Sequence, residues 1–367
     1  LKNAMGVGIP GTGMSGLPIA IAMGALVGKS EYGLEVLRDS TPDIVVEGKK
    51  LVDRGIINIH LKEDIVEKLY IEVTASAGPD TARVIISREH TRFSLIEKNG
   101  IKLLELENNE TTETVTEQLQ LSFDKVCDFA FYTPIDEIRF IKKTVELNKA
   151  AAEESLKGTY GHSVAQTLTN STMGNSVYNH MLSVTAAACD ARMAGAMIPV
   201  MSNSGSGNQG IAATLPVSVF AEETGKSEEE LIRALILSHL ITIYIKQSLG
   251  RLSGLCGAVV AATGSGCGVT YLMGGTREQI GFTVKNMIGN VTGMICDGAK
   301  PSCTLKVHNG VSTATLSALL AMDNKVVTAV EGIVDEDVDK TIQNLTKIGR
   351  EGMTETDKMV LDIMTNK

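Results

Sequence analysis

The chain has 367 residues, 43% of them hydrophobic, enough to bury a sizeable core without cross-links. Its net charge of −9, from 34 basic and 43 acidic side chains with no basic block, gives nucleic acid no electrostatic footprint. The most apolar window, LIRALILSHLITIYIKQ, is broken by Arg233, Ser238, His239 and Lys246, short of the roughly 20 apolar residues that span a bilayer, so no membrane partner is expected.

The N-terminal GVGIPGTGMSGLPIAIAMGALVG is a glycine-rich turn entering an Ala-rich helix. Gly6, Gly8 and Gly11 match G-x-G-x-x-G formally, but no strand precedes them, Pro10 interrupts and no βαβ unit follows, so a tight turn is the better reading than a dinucleotide site. From Ile56 the period changes: IINIHL, LYIEVTAS, ARVIIS and RFSLIEKNGIKLLEL alternate or run β-branched. Asn99-Gly100 is a two-residue hairpin signal. The polar stretch ENNETTETVTEQ reads as a linker.

After Leu121 the pattern is helical. Pro134 starts a helix with Ile135, Ile138, Ile141 and Val145 on one face. Ser227 with Glu230 and Thr276 with Gln279 form two capping boxes. Stripes at Val338, Ile342 and Leu345 and at Met359, Val360 and Ile363 predict two closing helices. The expectation is an α+β protein: a mostly helical body of residues 1–54 plus 120–367, with an inserted β-rich subdomain and linker at 55–119.

Six cysteines (127, 189, 256, 267, 296 and 303) in a chain with no visible secretion signal point to a reducing, cytoplasmic setting and argue against disulfides. Cys296 and Cys303 flank DGAKP, whose Gly and Pro turn the chain. Cys256 lies 40 residues earlier. Three thiolates meeting there would suit zinc or an iron–sulfur cluster with one position open. The spacing matches neither a zinc ribbon nor a ferredoxin, and each Cys can equally be a small buried hydrophobe. Cys127, Cys189 and Cys267 read better as core residues.

A second constellation is the loop with Ser202, Asn203, Ser204, Ser206, Asn208 and Gln209 before a helix. Hydroxyls, amides and bare N–H groups at a helix start can grip a carboxylate or phosphate; the alternative is a flexible linker. Asp190 and Arg192 just precede it, and an arginine there can clamp a carboxylate with two hydrogen bonds or simply pair with Asp190. His239, His162 and Lys246 are the general-base candidates; a core histidine, a turn cap and a solvated charge are the plain alternatives.

The blocks KNAMGVGIPGTGMSGLPIA, ACDARMAGAMIPVMSNSGSGNQGIAATLPV, LSHLITIYIKQSLGRLSGLCGA, NMIGNVTGMICDGAKPSC and EGIV together resemble the bacterial and archaeal L-cysteine desulfidase family, also known as UPF0597 and related to the α-subunit of iron–sulfur L-serine dehydratases. The resemblance implies an oxygen-sensitive 4Fe–4S lyase, independent of pyridoxal phosphate, that converts L-cysteine to hydrogen sulfide, ammonia and pyruvate; air-exposed material can lack the cluster. It implies Cys256, Cys296 and Cys303 as cluster ligands and Asn203, Ser204, Ser206, Asn208 and Gln209 as substrate-binding residues for a small amino acid, to which the residue reading adds Arg192. His239 is the catalytic base in this reading. An L-serine or other hydroxy-amino-acid dehydratase, and a non-catalytic small-molecule-binding homologue, stay as alternatives; a homo-oligomer is left open. The family's upstream Gly-Cys-Thr-Glu-Pro segment has no match here, and position 1 is Leu, so the expectation is either that a preceding segment is missing from this sequence or that the protein lacks a working part.

Overall fold

The computed structural model describes residues 2–62, 67, 69–106, 119–172, 175–250 and 252–366. They fall into two compact units, Leu17–Gln120 and a larger one of Lys2–Gly16 with Leu121–Lys367. The fold is mostly helical with one small antiparallel sheet. The stretch expected to be the linker, 107–118, lies outside the described residues.

In the smaller unit, helices α1 (Leu17–Val27) and α2 (Pro42–Asp53) group with the sheet, although the sequence reading assigned residues 17–53 to the helical body. The sheet is a meander of β1 (Tyr70–Ala77), β2 (Asp80–Ser87), β3 (Phe93–Lys98) and β4 (Ile101–Glu105). Asn99 and Gly100, at φ 51° and 78°, join the last two strands, the double positive φ of a type I′ turn. IINIHL is not a strand: residues 56–61 carry no regular structure, and Ile56 and Leu61 are exposed. A β-branched run gains little without a partner strand, and among the described residues none pairs with it.

In the larger unit, α3 (Phe123–Tyr132), a short helix α4 (Ile135–Ile138) and α5 (Lys142–Leu156) lead through α6 (Val164–Thr169) to α7 (Val177–Met193) and α8 (Gly207–Glu223). Then come α9 (Glu228–Leu249), α10 (Gly257–Leu272), α11 (Arg277–Val291), α12 (Cys303–Met322), α13 (Val338–Lys347) and α14 (Thr354–Thr365). Both capping boxes form, at the starts of α9 and α11.

Helix α10 is the centre: Ala258 through Thr270 are all buried, and it packs against α8, α9, α11 and α12. A helix covered on every side needs small residues to admit its neighbours. A Cβ at Gly264 would lie 2.2 Å from Ser238 O, and one at Gly268 2.9 Å from Ala234 O, so two glycines one turn apart set the α9–α10 approach. The stripe expected on the last helix stays outside: α14 has no fully buried residue, and Met359 and Ile363 are exposed. No described helix is long and apolar enough to cross a membrane.

Candidate active site

Three helix N-termini, those of α8, α10 and α12, carry the sequence candidates. Before α10 the chain runs through Gly254 and Leu255 to Cys256, the residue that caps the helix. After α11 it returns through Met294 to Cys296. The two runs form an antiparallel bridge at Leu255 and Ile295, in which the Cys256 N–H donates to Met294 O at 2.9 Å and the Cys296 N–H to Gly254 O at 2.8 Å. Side chains alternate in extended backbone, so Cys256 and Cys296 leave the same face of the bridge, opposite Leu255 and Ile295. Diagonal neighbours of this kind sit roughly 7–8 Å apart.

The chain then turns at Gly298, with φ 92°, and enters α12 at Cys303, whose Sγ donates to Gly298 O at 3.4 Å. Cys296 and Cys303 are partly exposed, whereas Cys256 is buried. Burial, then the neighbouring Cys296, pushes the Cys256 thiol up to about 11; burial also raises Cys303, with Cys296 adding to it. Cys296 thus stands within electrostatic reach of both Cys256 and Cys303, and Cys189 of Cys303. Cys127 and Cys189 are core residues pushed up to about 12 by burial, and burial likewise raises Cys267 well above the ordinary thiol value.

Cations surround this region. Lys306 donates to Ile295 O at 2.8 Å and pairs with Asp297; Lys300 meets the same carboxylate at 2.6 Å. Burial pushes Lys246 down to about 8, while Cys296 and Cys256 pull it up. Thiol donors beside ammonium groups and the positive ends of α10 and α12 suit an anionic thiolate-held metal centre. Among the described residues no group of three or more His, Cys, Asp or Glu side chains stands ready to hold a metal ion.

The amide loop is a tight turn. Asn203 and Ser206 exchange backbone hydrogen bonds of 3.1 and 3.0 Å, and Ser204 and Gly205 hold φ of 49° and 80° between them. Asn203 Nδ2 donates to His239 Nδ1 at 3.0 Å and to His239 O at 3.2 Å, and Ser204 Oγ donates to Asn203 Oδ1 at 2.8 Å. His239 Nε2 then carries the hydrogen and donates to Thr214 Oγ1 at 3.0 Å, a tautomer fixed by the network. Both ring nitrogens are thus engaged, and burial holds His239 down to about 4. His162 sits on an exposed turn.

Gln209 and Asn208 link this turn to its surroundings. The Gln209 amide lies against Gly257, where a Cβ would come 2.7 Å from Nε2, which puts the amide beside Cys256; its buried Oε1 has no hydrogen-bond partner among the described residues. Asn208 Oδ1 accepts from Arg192 Nη1 at 2.9 Å. Burial lowers Arg192, and Cys189 and Cys303 are the groups that oppose this. Among the described residues no carboxylate pairs with Arg192; Asp190 is turned away, its Oδ2 accepting from the Val164 N–H at 2.8 Å. A half-buried guanidinium with no acid beside it is well placed to receive an anionic ligand.

Sequence reasoning missed Lys300 and Lys306. Cys303-x-x-Lys306 was available as a signal, since positions three apart share a helix face. The pairing of Thr214 with His239 has no sequence signature.

The family model described as serine dehydratase alpha chain matches residues 52–362. The chain is 66% identical over 371 residues to a UPF0597 protein of Bacteroides fragilis, covering 100% of this chain and 87% of that protein. It is 55% identical over 377 residues to the UPF0597 protein of Porphyromonas gingivalis and 46% over 372 residues to that of Oleidesulfovibrio alaskensis, at the same coverage of 100% and 87%. The chain belongs to the serine dehydratase α-chain family, among its UPF0597 members.

Proposed function

We propose that the chain is a pyridoxal-phosphate-independent lyase that eliminates hydrogen sulfide from L-cysteine. Loss of the Cα proton and of the Cβ–S bond yields hydrogen sulfide and aminoacrylate, which tautomerises and takes up water to give pyruvate and ammonia. The observation that supports this reading is the pairing of the Cys256 and Cys296 runs across one backbone bridge, with Cys303 at the start of α12 and Lys300 and Lys306 close by; Gln209 lies against Gly257, next to Cys256, and Arg192 is held by Asn208.

Cys256, Cys296 and Cys303 would hold a 4Fe–4S cluster, whose open iron supplies Lewis acidity toward a leaving sulfur. Lys246, Lys300 and Lys306 offset the negative charge gathered there. Arg192, held by Asn208, binds the substrate carboxylate with its fork of donors. The unpartnered Gln209 Oε1 accepts from the substrate ammonium. Asn203, Ser204 and Ser206 line the turn. His239, with both nitrogens engaged, is assigned to orienting Asn203 rather than to taking the Cα proton.

Anaerobic reconstitution should load about four irons and four sulfides per chain, with pyruvate and sulfide formed together from L-cysteine. Cys296→Ser should lose the brown chromophore. A colourless protein that binds one zinc would overturn the cluster assignment. The family resemblance to serine dehydratases supports one rival, dehydration of L-serine by the same residues; pyruvate from serine outpacing that from cysteine would favour it.

A further inference from the structure

We propose that Lys2 and the C-terminal helix α14 form a brace that sets the spacing of the two cysteine-bearing runs, with Lys2 and Asp357 as positioning residues for Cys296. The Lys2 side chain is buried, and its ammonium has three donors. They meet three acceptors: Cys296 O at 2.7 Å, Ser253 O at 3.4 Å and the Asp357 carboxylate. One carbonyl belongs to the run carrying Cys256, the other to Cys296 itself, and the acid comes from α14. A single cation therefore ties both runs by their backbones and leaves the thiols on the bridge's other atoms.

Two further contacts make the same connection. A Cβ at Gly254, between Ser253 and Leu255, would come 2.6 Å from Met353 Cβ at the start of α14. One at Gly298, in the turn that follows Cys296, would come 2.6 Å from Lys2 O and 3.0 Å from Met364 Cε. Asp357 and Met364 are seven residues apart, hence on one face of α14. That helix has no fully buried residue, and its apolar side chains Met359 and Ile363 point outward. Val360, Leu361 and Met364 are only half-buried, so the charge-assisted contact with Lys2 adds to a modest apolar contact in docking the helix.

The iron readout of this proposal rests on the reading of Cys296 as a ligand, but thiol accessibility does not. In the full chain before reconstitution, iodoacetamide modification of Cys296, followed by peptide mass spectrometry, should be at least about ten-fold faster in Asp357→Asn, the factor expected when one charge-assisted hydrogen bond is lost. Cys303, set by α12, should keep its wild-type rate. Asp357→Glu should restore slow modification, and Met364→Ala, which removes the other α14 contact, should raise the Cys296 rate on its own. After reconstitution, Asp357→Asn should release iron to a chelator faster than wild type. An unchanged Cys296 rate in Asp357→Asn and Met364→Ala would overturn the brace, as would an equal rise at Cys303, which signals general loosening. Normal Cys296 protection with no iron uptake in wild type would instead count against the cluster and leave the brace standing.

Discussion

Arg192 is half-buried and His239 buried, and their surroundings set these two nitrogen groups to opposite tasks. Arg192 keeps its charge because a guanidinium does not deprotonate in a protein, and among the described residues no carboxylate pairs with it. Arg192→Lys retains the charge but loses the planar fork; under the proposed reading it should raise KM for the amino acid by about ten- to a hundred-fold, with a smaller change in kcat. His239 answers burial by staying neutral. Its pKa falls from 6.5 to about 4, so the unfolded chain takes up a proton before the folded one does. The stability that depends on neutral His239 is complete above pH 6.5 and is lost as pH falls toward 4, a difference of about 3 kcal/mol. His239→Gln should flatten that stretch of the stability–pH curve in urea titrations; an unaltered slope would show that His239 is not the group responsible. A histidine on an apolar helix was legible as a candidate, but its two partners come from the turn and from α8 and could not be read from α9 alone.

Among helices and strands, the legible features are those with a local cause. Capping boxes, the Asn-Gly hairpin and the starts of α9 and α11 each depend on residues within one turn of the chain, and each forms as the pattern predicts. IINIHL and the Met359–Ile363 stripe fail because their burial depends on a partner that the pattern cannot supply. Glycine shows the same division. Gly24 in α1 has no atom within 4 Å of an added Cβ, whereas Gly264 in α10 meets Ser238 O at 2.2 Å. Gly24→Ala should therefore gain about 0.5–1 kcal/mol from helix propensity. Gly264→Ala has the same propensity gain but forces α9 and α10 apart, and should cost about 1–3 kcal/mol net. Urea unfolding of the two variants tests this, and a stabilised Gly264→Ala would mean that the α9–α10 approach is not set there.

Across the whole molecule the six cysteines separate into classes, with Cys127, Cys189 and Cys267 buried as the sequence reading expects and Cys256 covered in addition. Cys127, Cys189 and Cys267 sit in the cores with thiols raised by burial, while Cys296 and Cys303 are partly exposed beside lysines. Cys256 belongs to the same region but is covered. Thiolate, not thiol, is the reactive species, so reactivity should follow this division and not order in the chain. In the cluster-free native protein, a disulfide-exchange reagent should modify Cys296 and Cys303 first. Cys127, Cys189, Cys256 and Cys267 should react only as the fold opens, and their rates should track global unfolding in urea. If Cys256 reacted together with Cys296 and Cys303 in the native state, the covered position that α10 gives it would be wrong. If Cys127 or Cys267 did, the core formed by α3, α9, α10 and α11 would not be closed. Under the proposed reading, iron–sulfur reconstitution should protect Cys256, Cys296 and Cys303 together while leaving the slow phase of Cys127 and Cys267 unchanged, because those two lie in the other core cluster, whereas Cys189 adjoins Cys303.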